Sequence, residues 1–190
     1  LGAELTADET AGRYRITKIF KGENWNSDRR SPLTEQGVDV KEGDYLISID
    51  GKDVTTAANP YIFLENKAGK TVEIKVSSKP SSADARASLI KPIASELGLL
   101  HRDWVNERRA MVDKLSGGKI GYIYVPNTST DGNRELFQGM YTYFDKEALI
   151  IDERYNVGGF IPDRMADLLD RHTLVYWQQK GLTPGKSPAI

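Results

Sequence analysis

Between Tyr14 and Phe20 the chain alternates, with Tyr14, Ile16 and Lys18 on one side and Arg15, Thr17 and Ile19 on the other. Its β-branched and aromatic content predicts a strand there. A second apolar strand is expected over Tyr45-Leu46-Ile47-Ser48-Ile49, closed by the tight-turn pair Asp50-Gly51 that leads into Lys52-Asp53-Val54. Asn59-Pro60 reads as an N-cap followed by a first helical proline, opening a helix over Tyr61 to Asn66 with Gly69 as its stop. A last strand, Thr71 to Val76, alternates cleanly. Short strands with one flanking helix predict a small, partly open β-barrel.

From Ser77 to Asp84 small, polar and proline residues follow one another without periodicity, a linker signature. A domain boundary is expected there, dividing 1–79 from 80–190. Beyond it, Ser95 is a candidate cap for a helix in which Trp104, Val105, Arg108, Met111, Val112 and Leu115 recur at helical spacing, ended by Gly117-Gly118. Strand Ile120 to Val125, a helix from about Asn133 to Phe144 capped by Asp131, the nearly continuous apolar strand Ala148 to Asp152, helix Pro162 to Asp170 and strand Leu174 to Trp177 follow. This β-α-β-α-β order predicts a mainly parallel α/β sheet, its central strand buried on both faces, after an α+β first region.

Composition narrows the chemistry. The 190 residues carry 26 Lys+Arg against 27 Asp+Glu, a net charge of -1, which argues against a nucleic-acid binder read on charge. With no cysteine, disulfides, thiolate metal sites and a cysteine nucleophile are excluded, and two histidines, His101 and His172, cannot build a multi-histidine metal cage. No apolar run approaches the roughly 18 residues of a membrane span, so a soluble protein is expected. The chain begins at Leu1 rather than Met and shows no secretory pattern, and it reads as a piece of a longer protein.

The segment from Ile150 to Phe160 is the most informative. A strand ending in a glycine-containing turn before a helix gathers backbone N–H groups that can hold an anion. A phosphate site is one reading, although Gly-x-Gly-x-x-Gly and Gly-Lys-Ser/Thr are both missing. An oxyanion hole is another, and an ordinary strand-helix connection a third. Ser116 reads as a helix stop and Ser129 as part of a capping loop, neither paired with a histidine. His101 and His172 are expected in structural or solvated roles, and Asp152, Glu153 and Asp163 are ordinary capping choices beside the turn. No complete catalytic set is present. In the first region, Leu1, Gly2, Ala3 and Glu4 precede the Tyr14 strand, while Tyr61, Phe63 and Leu64 give the short helix an apolar side. A groove between that helix and a strand edge would take an extended peptide by strand addition, with the Leu1-Gly2-Ala3 amides holding a terminal carboxylate.

Arg13-Tyr14-Arg15-Ile16, Gly22-Glu23-Asn24-Trp25-Asn26, Arg30-Ser31-Pro32-Leu33-Thr34 and the Gly43-Asp44-x-Leu-x-x-Ile-Asp-Gly stretch ending at Gly51 resemble the PDZ domain of tricorn-type proteases. Lys91-Pro92, Arg102-Asp103-Trp104-Val105, Gly121 to Pro126 and Ile150-Ile151-Asp152-x-Arg-Tyr-Asn resemble the start of the α/β catalytic domain of tricorn and tail-specific serine peptidases. The resemblance implies a serine endopeptidase acting on peptides, needing no metal or other cofactor, often a homo-oligomeric hexameric ring, and cytoplasmic rather than periplasmic. It also implies that the nucleophilic serine lies further along the catalytic domain and the general-base histidine ahead of the PDZ domain, so that this piece alone is inactive.

One catalytic element maps onto the chain under this resemblance. The turn Asn156-Val157-Gly158-Gly159 corresponds to the family's Asn-Gly-Gly-Gly, whose backbone N–H contributes to the oxyanion hole, which makes Val157, Gly158 and Gly159 the candidate donors. A β-branched residue resists φ > 0, so Val157 is expected either to keep an ordinary backbone or to reshape the loop. Two other readings remain open, a non-enzymatic PDZ scaffold and a nucleotide-binding α/β domain.

Overall fold

The computed structural model describes residues 1–187. Two compact units are present, Leu1–Trp104 and a second that opens at Val105.

The first unit is built on six strands: β1 (Ala3–Asp8), β2 (Arg13–Ile19), β3 (Tyr45–Ile49), β4 (Lys52–Asp53), β5 (Val72–Ser77) and β6 (Arg86–Ile90). They run in the order β1-β2-β3-β5-β6 with β4 on β3, every pair antiparallel. Asp50 and Gly51, at φ 47 and 73, form the tight turn in which both central residues take positive φ, so Ile49 pairs directly with Lys52. The Asp50 carboxylate fixes it by accepting the Glu73 N–H at 2.9 Å and Lys67 Nζ at 2.5 Å. Ile16, Leu46, Ile49, Val54, Val72, Ile74, Val76 and Ile90 form the buried core.

Three details of this unit differ from the sequence-based expectation. The helix after Asn59-Pro60 is a 3-10 helix, Pro60–Leu64. Asn59 Oδ1 accepts the Tyr61 N–H at 3.0 Å as foreseen, but Asn66, at φ 59, reverses the chain before an α-helical turn can propagate. Residues 3–8, to which the sequence pattern assigned no strand, form an end strand of the sheet. The run after Ser77 joins β5 to β6, whose register runs from Val72↔Ile90 to Val76↔Arg86 within one sheet. The boundary expected at 79/80 therefore falls inside the first compact unit, because sheet connections and interdomain linkers draw on the same turn residues. Arg86 Nη2 also meets the buried Asp44 carboxylate at 2.5 Å, tying β6 to the segment entering β3.

Helix α1 (Leu97–Ser116) carries the chain from the first unit into the second. Ser95 Oγ accepts the Leu97 N–H at 3.2 Å, and Gly117 and Gly118 end the helix at φ 62 and 79. The second unit then contains β7 (Ile120–Tyr124), α2 (Thr130–Thr142), β8 (Ala148–Asp152), α3 (Pro162–Leu169), β9 (Val175–Trp177) and β10 (Gly185–Ser187). Strands β7 and β8 are parallel, in register from Ile120↔Ala148 to Tyr124↔Asp152, with α2 as the crossover. Gly139 lets α2 seat on β7, since a Cβ there would come 2.5 Å from Ile123 Cγ1. Ile123, Val125, Leu136, Met165 and Leu168 form the core beneath.

The predicted element order is observed, with three local departures. Asn127 rather than Asp131 caps α2, its Oδ1 accepting the Ser129 and Gly132 N–H groups at 3.0 Å each. β8 is buried on one face only, with Ile150 42% exposed, because a two-stranded parallel pair gives its apolar run a single cover. β9 pairs antiparallel with β10 instead of joining that pair. Gly181, at φ 84 in the connection between them, closes a hairpin that satisfies β9 locally.

Candidate functional site

The turn after β8 is braced from below by a buried carboxylate. Asp152, 7% exposed, accepts hydrogen bonds from the Tyr122 hydroxyl at 2.6 Å, the Arg154 N–H at 3.0 Å and the Arg154 guanidinium. Arg154, and after it the Tyr122 hydroxyl, holds its pKa well below the ordinary carboxylate range in spite of burial. Burial and the Asp152 carboxylate push the Tyr122 phenol up to about 12. Tyr124, two residues on, donates to the Arg154 carbonyl at 2.9 Å. Alternation along β7 thus places two phenols under the turn while Ile123 and Val125 enter the core on the opposite face.

Within the turn, Asn156 Oδ1 accepts the Gly158 N–H at 2.7 Å and Asn156 Nδ2 reaches the Val125 carbonyl at 3.4 Å. The Val157 N–H donates to the Pro126 carbonyl at 3.2 Å, the Thr128 N–H to the Gly158 carbonyl at 2.9 Å and the Ile161 N–H to the Thr128 carbonyl at 3.0 Å. Val157 keeps a negative φ, and the left-handed conformation falls on Tyr155 at φ 64 and on the glycines. Gly159 is required sterically, because a Cβ there would lie 2.3 Å from the Thr128 carbonyl carbon and oxygen and 2.4 Å from Ser129 Oγ.

Of the three expected donors, Val157 and Gly158 thus have their N–H groups engaged within the loop. Gly159 does not, nor does Phe160 beside it; among the described residues neither N–H has an acceptor. The turn presents these two adjacent donors on an exposed surface, an arrangement able to bind one anionic oxygen. Phe160 escaped the sequence reading because nothing in its side chain signals a backbone role.

The other singled-out residues stand apart from a catalytic set. Ser116 ends α1 and its Oγ accepts the Ile120 N–H at 3.2 Å. Ser129 is the residue before α2. His101 lies in α1, its ring 5.7 Å from that of Trp104, and burial, then Arg29, holds its basicity below the ordinary histidine range. His172 is 82% exposed, 3.7 Å from Asp170. Glu153 is exposed, and Asp163 sits in the first turn of α3.

The first unit brings the remaining candidates together. β1 is an end strand, so one of its edges is unpaired. Gly2, at φ 81, turns the chain into it, its carbonyl accepting the Phe20 N–H at 2.9 Å. The next carbonyl, that of Ala3, is met by the Tyr61 hydroxyl at 3.5 Å from the 3-10 helix. Leu1, Tyr61, Leu64, Pro92, Ile93 and Glu96 line a cleft of about 510 Å³ there. Glu4 is exposed on the β1 side. Of the amides foreseen as a carboxylate holder, that of Gly2 already has a carboxylate: Glu96 Oε1 accepts its N–H at 2.7 Å, and also the chain-terminal Leu1 ammonium at 2.8 Å. Burial, followed by the Glu96 charge, raises the Tyr61 phenol above its ordinary range. Glu96 was missed because it is 94 residues from Gly2 and reads in sequence as a helix-entry acid.

A family model described as the tricorn protease PDZ domain matches residues 1–95. The chain is 33% identical over 189 residues to "Tricorn protease homolog 1" of Streptomyces coelicolor, covering 99% of this chain and 17% of that protein. It is 34% identical over 171 residues to "Tricorn protease homolog" of Saccharolobus solfataricus, covering 89% of this chain and 15% of that protein. The crystal structure of the tricorn protease superposes with a TM-score of 0.79 at 27% identity, covering 99% of this chain and 18% of that one. The chain therefore spans under a fifth of the length of these relatives. On the PDZ match, the full-chain likeness and the shared fold together, this chain belongs to the tricorn protease family.

Proposed function

We propose that these residues form the PDZ domain and the opening part of the catalytic domain of a tricorn-type serine endopeptidase. The nucleophilic serine and general-base histidine are supplied from outside the 190 residues. The observation that carries the reading is the braced turn, whose Gly159 and Phe160 N–H groups have no internal acceptor. In acyl transfer a negative charge develops on the scissile carbonyl oxygen as the serine adds. Donors already oriented by Asp152, Asn156 and the Thr128 backbone stabilise it without reorganising. The cleft beside β1 and Tyr61 binds or gates an extended peptide ahead of that step. These residues alone do not hydrolyse peptides, since a donor turn without nucleophile and base supplies only part of the mechanism. In the full-length protein the assembly is a cytoplasmic homo-oligomer.

The test is hydrolysis of a fluorogenic peptide library by the full-length protein and its Asn156→Ala variant, with a serine-directed phosphonate as the covalent probe. Loss of the Asn156 side chain frees the turn without removing a donor. The expected result is phosphonate-sensitive hydrolysis whose kcat falls on the order of tenfold or more in the variant, with KM little changed. Hydrolysis insensitive to phosphonate, or indifferent to Asn156→Ala, overturns the reading.

A further inference from the structure

The β1 edge offers strand addition, but the Gly2 N–H at its entrance, where a bound peptide would end, is already paired with Glu96 at 2.7 Å. That carboxylate does not depend on a mobile surface side chain. Glu96 immediately precedes α1, its carbonyl accepts the N–H of Leu100 in the first turn at 2.9 Å, and its side chain is 23% exposed. The helix behind it is anchored within the same unit. Leu99 is buried, with Cδ1 3.1 Å from where a Gly2 Cβ would stand. Asp103 pairs with Lys18 at 2.5 Å and Arg102 with Glu23 at 2.6 Å. Gly2 is hemmed in: a Cβ there would come 2.9 Å from the fully buried Ser31 Oγ, and its carbonyl holds the Phe20 N–H at 2.9 Å.

We infer that Glu96 is an internal stand-in for a peptide's terminal carboxylate, so that the cleft accepts internal stretches of extended chain and rejects free C-termini. This rests on the peptide-binding reading of the cleft. Two effects drive the selection. A terminal carboxylate finds the Gly2 donor engaged, and it meets a like charge in a partly desolvated cleft where repulsion is weakly screened. An internal segment brings amides instead, which pair with the open edge of β1, while Leu1, Leu64 and Ile93 receive apolar side chains. The Tyr61 hydroxyl on the Ala3 carbonyl is long enough to yield to a peptide N–H.

The test titrates this chain, Glu96→Gln and Glu96→Ala, each N-acetylated so that Leu1 carries an amide and no terminal charge, with two fluorescein-labelled randomised decapeptide pools, one ending in carboxylate and one in carboxamide, read by anisotropy. The wild type is expected to bind the carboxamide pool at least as tightly as the carboxylate pool. Both variants should gain on the order of tenfold for the carboxylate pool alone, the worth of one charge-assisted pairing. A wild-type preference for the carboxylate pool, or an unchanged preference in the variants, overturns the inference while leaving the cleft a peptide site. No binding of either pool to any of the three proteins overturns the peptide-site reading itself, and the inference with it. If Glu96→Ala does not fold, the nearly isosteric Glu96→Gln carries the comparison. The Gly2 amide resonance should move in Glu96→Gln without peptide, and a stationary resonance counts against the contact.

Discussion

The Tyr122 hydroxyl reaches Asp152 rather than its own register partner, Ile150, so that one 2.6 Å hydrogen bond runs diagonally from the middle of β7 to the end of β8. It makes the start of the turn part of the sheet. Tyr122→Phe should cost about 1.5–3 kcal/mol in urea unfolding, the range for a hydrogen bond to a charged group. The phenol, raised from 10.0 to about 12, contributes stability that is complete below pH 10 and is lost as pH rises toward 12. Ultraviolet titration of the variant should lose a late-ionising phenol, while Tyr45, Tyr61 and Tyr124, raised as well, still ionise above the ordinary range.

The acid side carries the opposite sign. Asp152 is held below its ordinary value of 3.8, first by Arg154, so its contribution is present above that pH and is lost as pH falls through the depressed value. Asp152→Asn should flatten part of the stability loss below about pH 4. Part remains, since Asp8, through the Ala11 N–H and Tyr45, and Asp50, through Lys67 and the Glu73 N–H, are lowered too.

Arg86→Ala should destabilise the first unit by about 2 kcal/mol, because it strands the buried Asp44 carboxylate. Arg86→Ala combined with Asp44→Asn should recover part of that loss in the same urea titration. An additive double variant would show that the pair does not act together.

Gly159→Ala should shift the turn, since the Thr128 backbone cannot give way, and cost about 1–3 kcal/mol. Val157→Gly should also destabilise, by about 0.5–1 kcal/mol. Val157 is unstrained, and glycine only adds freedom to the unfolded chain. Thermal melts of both variants check the pair.

Phe144, Phe160, Leu174 and Tyr176 are each more than 70% exposed. This chain on its own should self-associate as concentration rises, which sedimentation velocity reads directly. A compact monomer at all concentrations would show that these side chains do not adhere.

What the residue pattern revealed and what it concealed divide along a physical line. Alternation in Tyr14–Phe20, the Asp50-Gly51 turn, the caps at Ser95 and Asn59 and the glycine stop after Ser116 are local signals, and each element stands where they placed it within a few residues. β1 alternates as well, but its apolar side is only Ala3, Leu5 and Ala7, too small a face to stand out, and β6 was hidden behind a Ser/Pro-rich connection. The donors of the turn could be narrowed only with the Pro126 and Thr128 backbones in place, since an N–H is engaged or open according to neighbours distant in sequence. Glu96 shows the same limit, its chemistry being set by the Gly2 amide and not by its own helix.

An edge strand that can take up a peptide can in principle also take up another copy of itself. Here the β1 register slips between Glu4 and Leu5, leaving Thr17 as the additional residue on β2 with its hydroxyl on the Glu4 carbonyl at 3.2 Å. Such a bulge bends and twists the strand, so the flat template needed for sheet-to-sheet growth is interrupted a few residues in. Only Ala3 and Glu4 precede the slip, too few to seed a fibre, while the unpaired edge of β1 stays open to a single short segment. Recognition and resistance to amyloid-like stacking are thereby reconciled within a single irregularity of one strand pair.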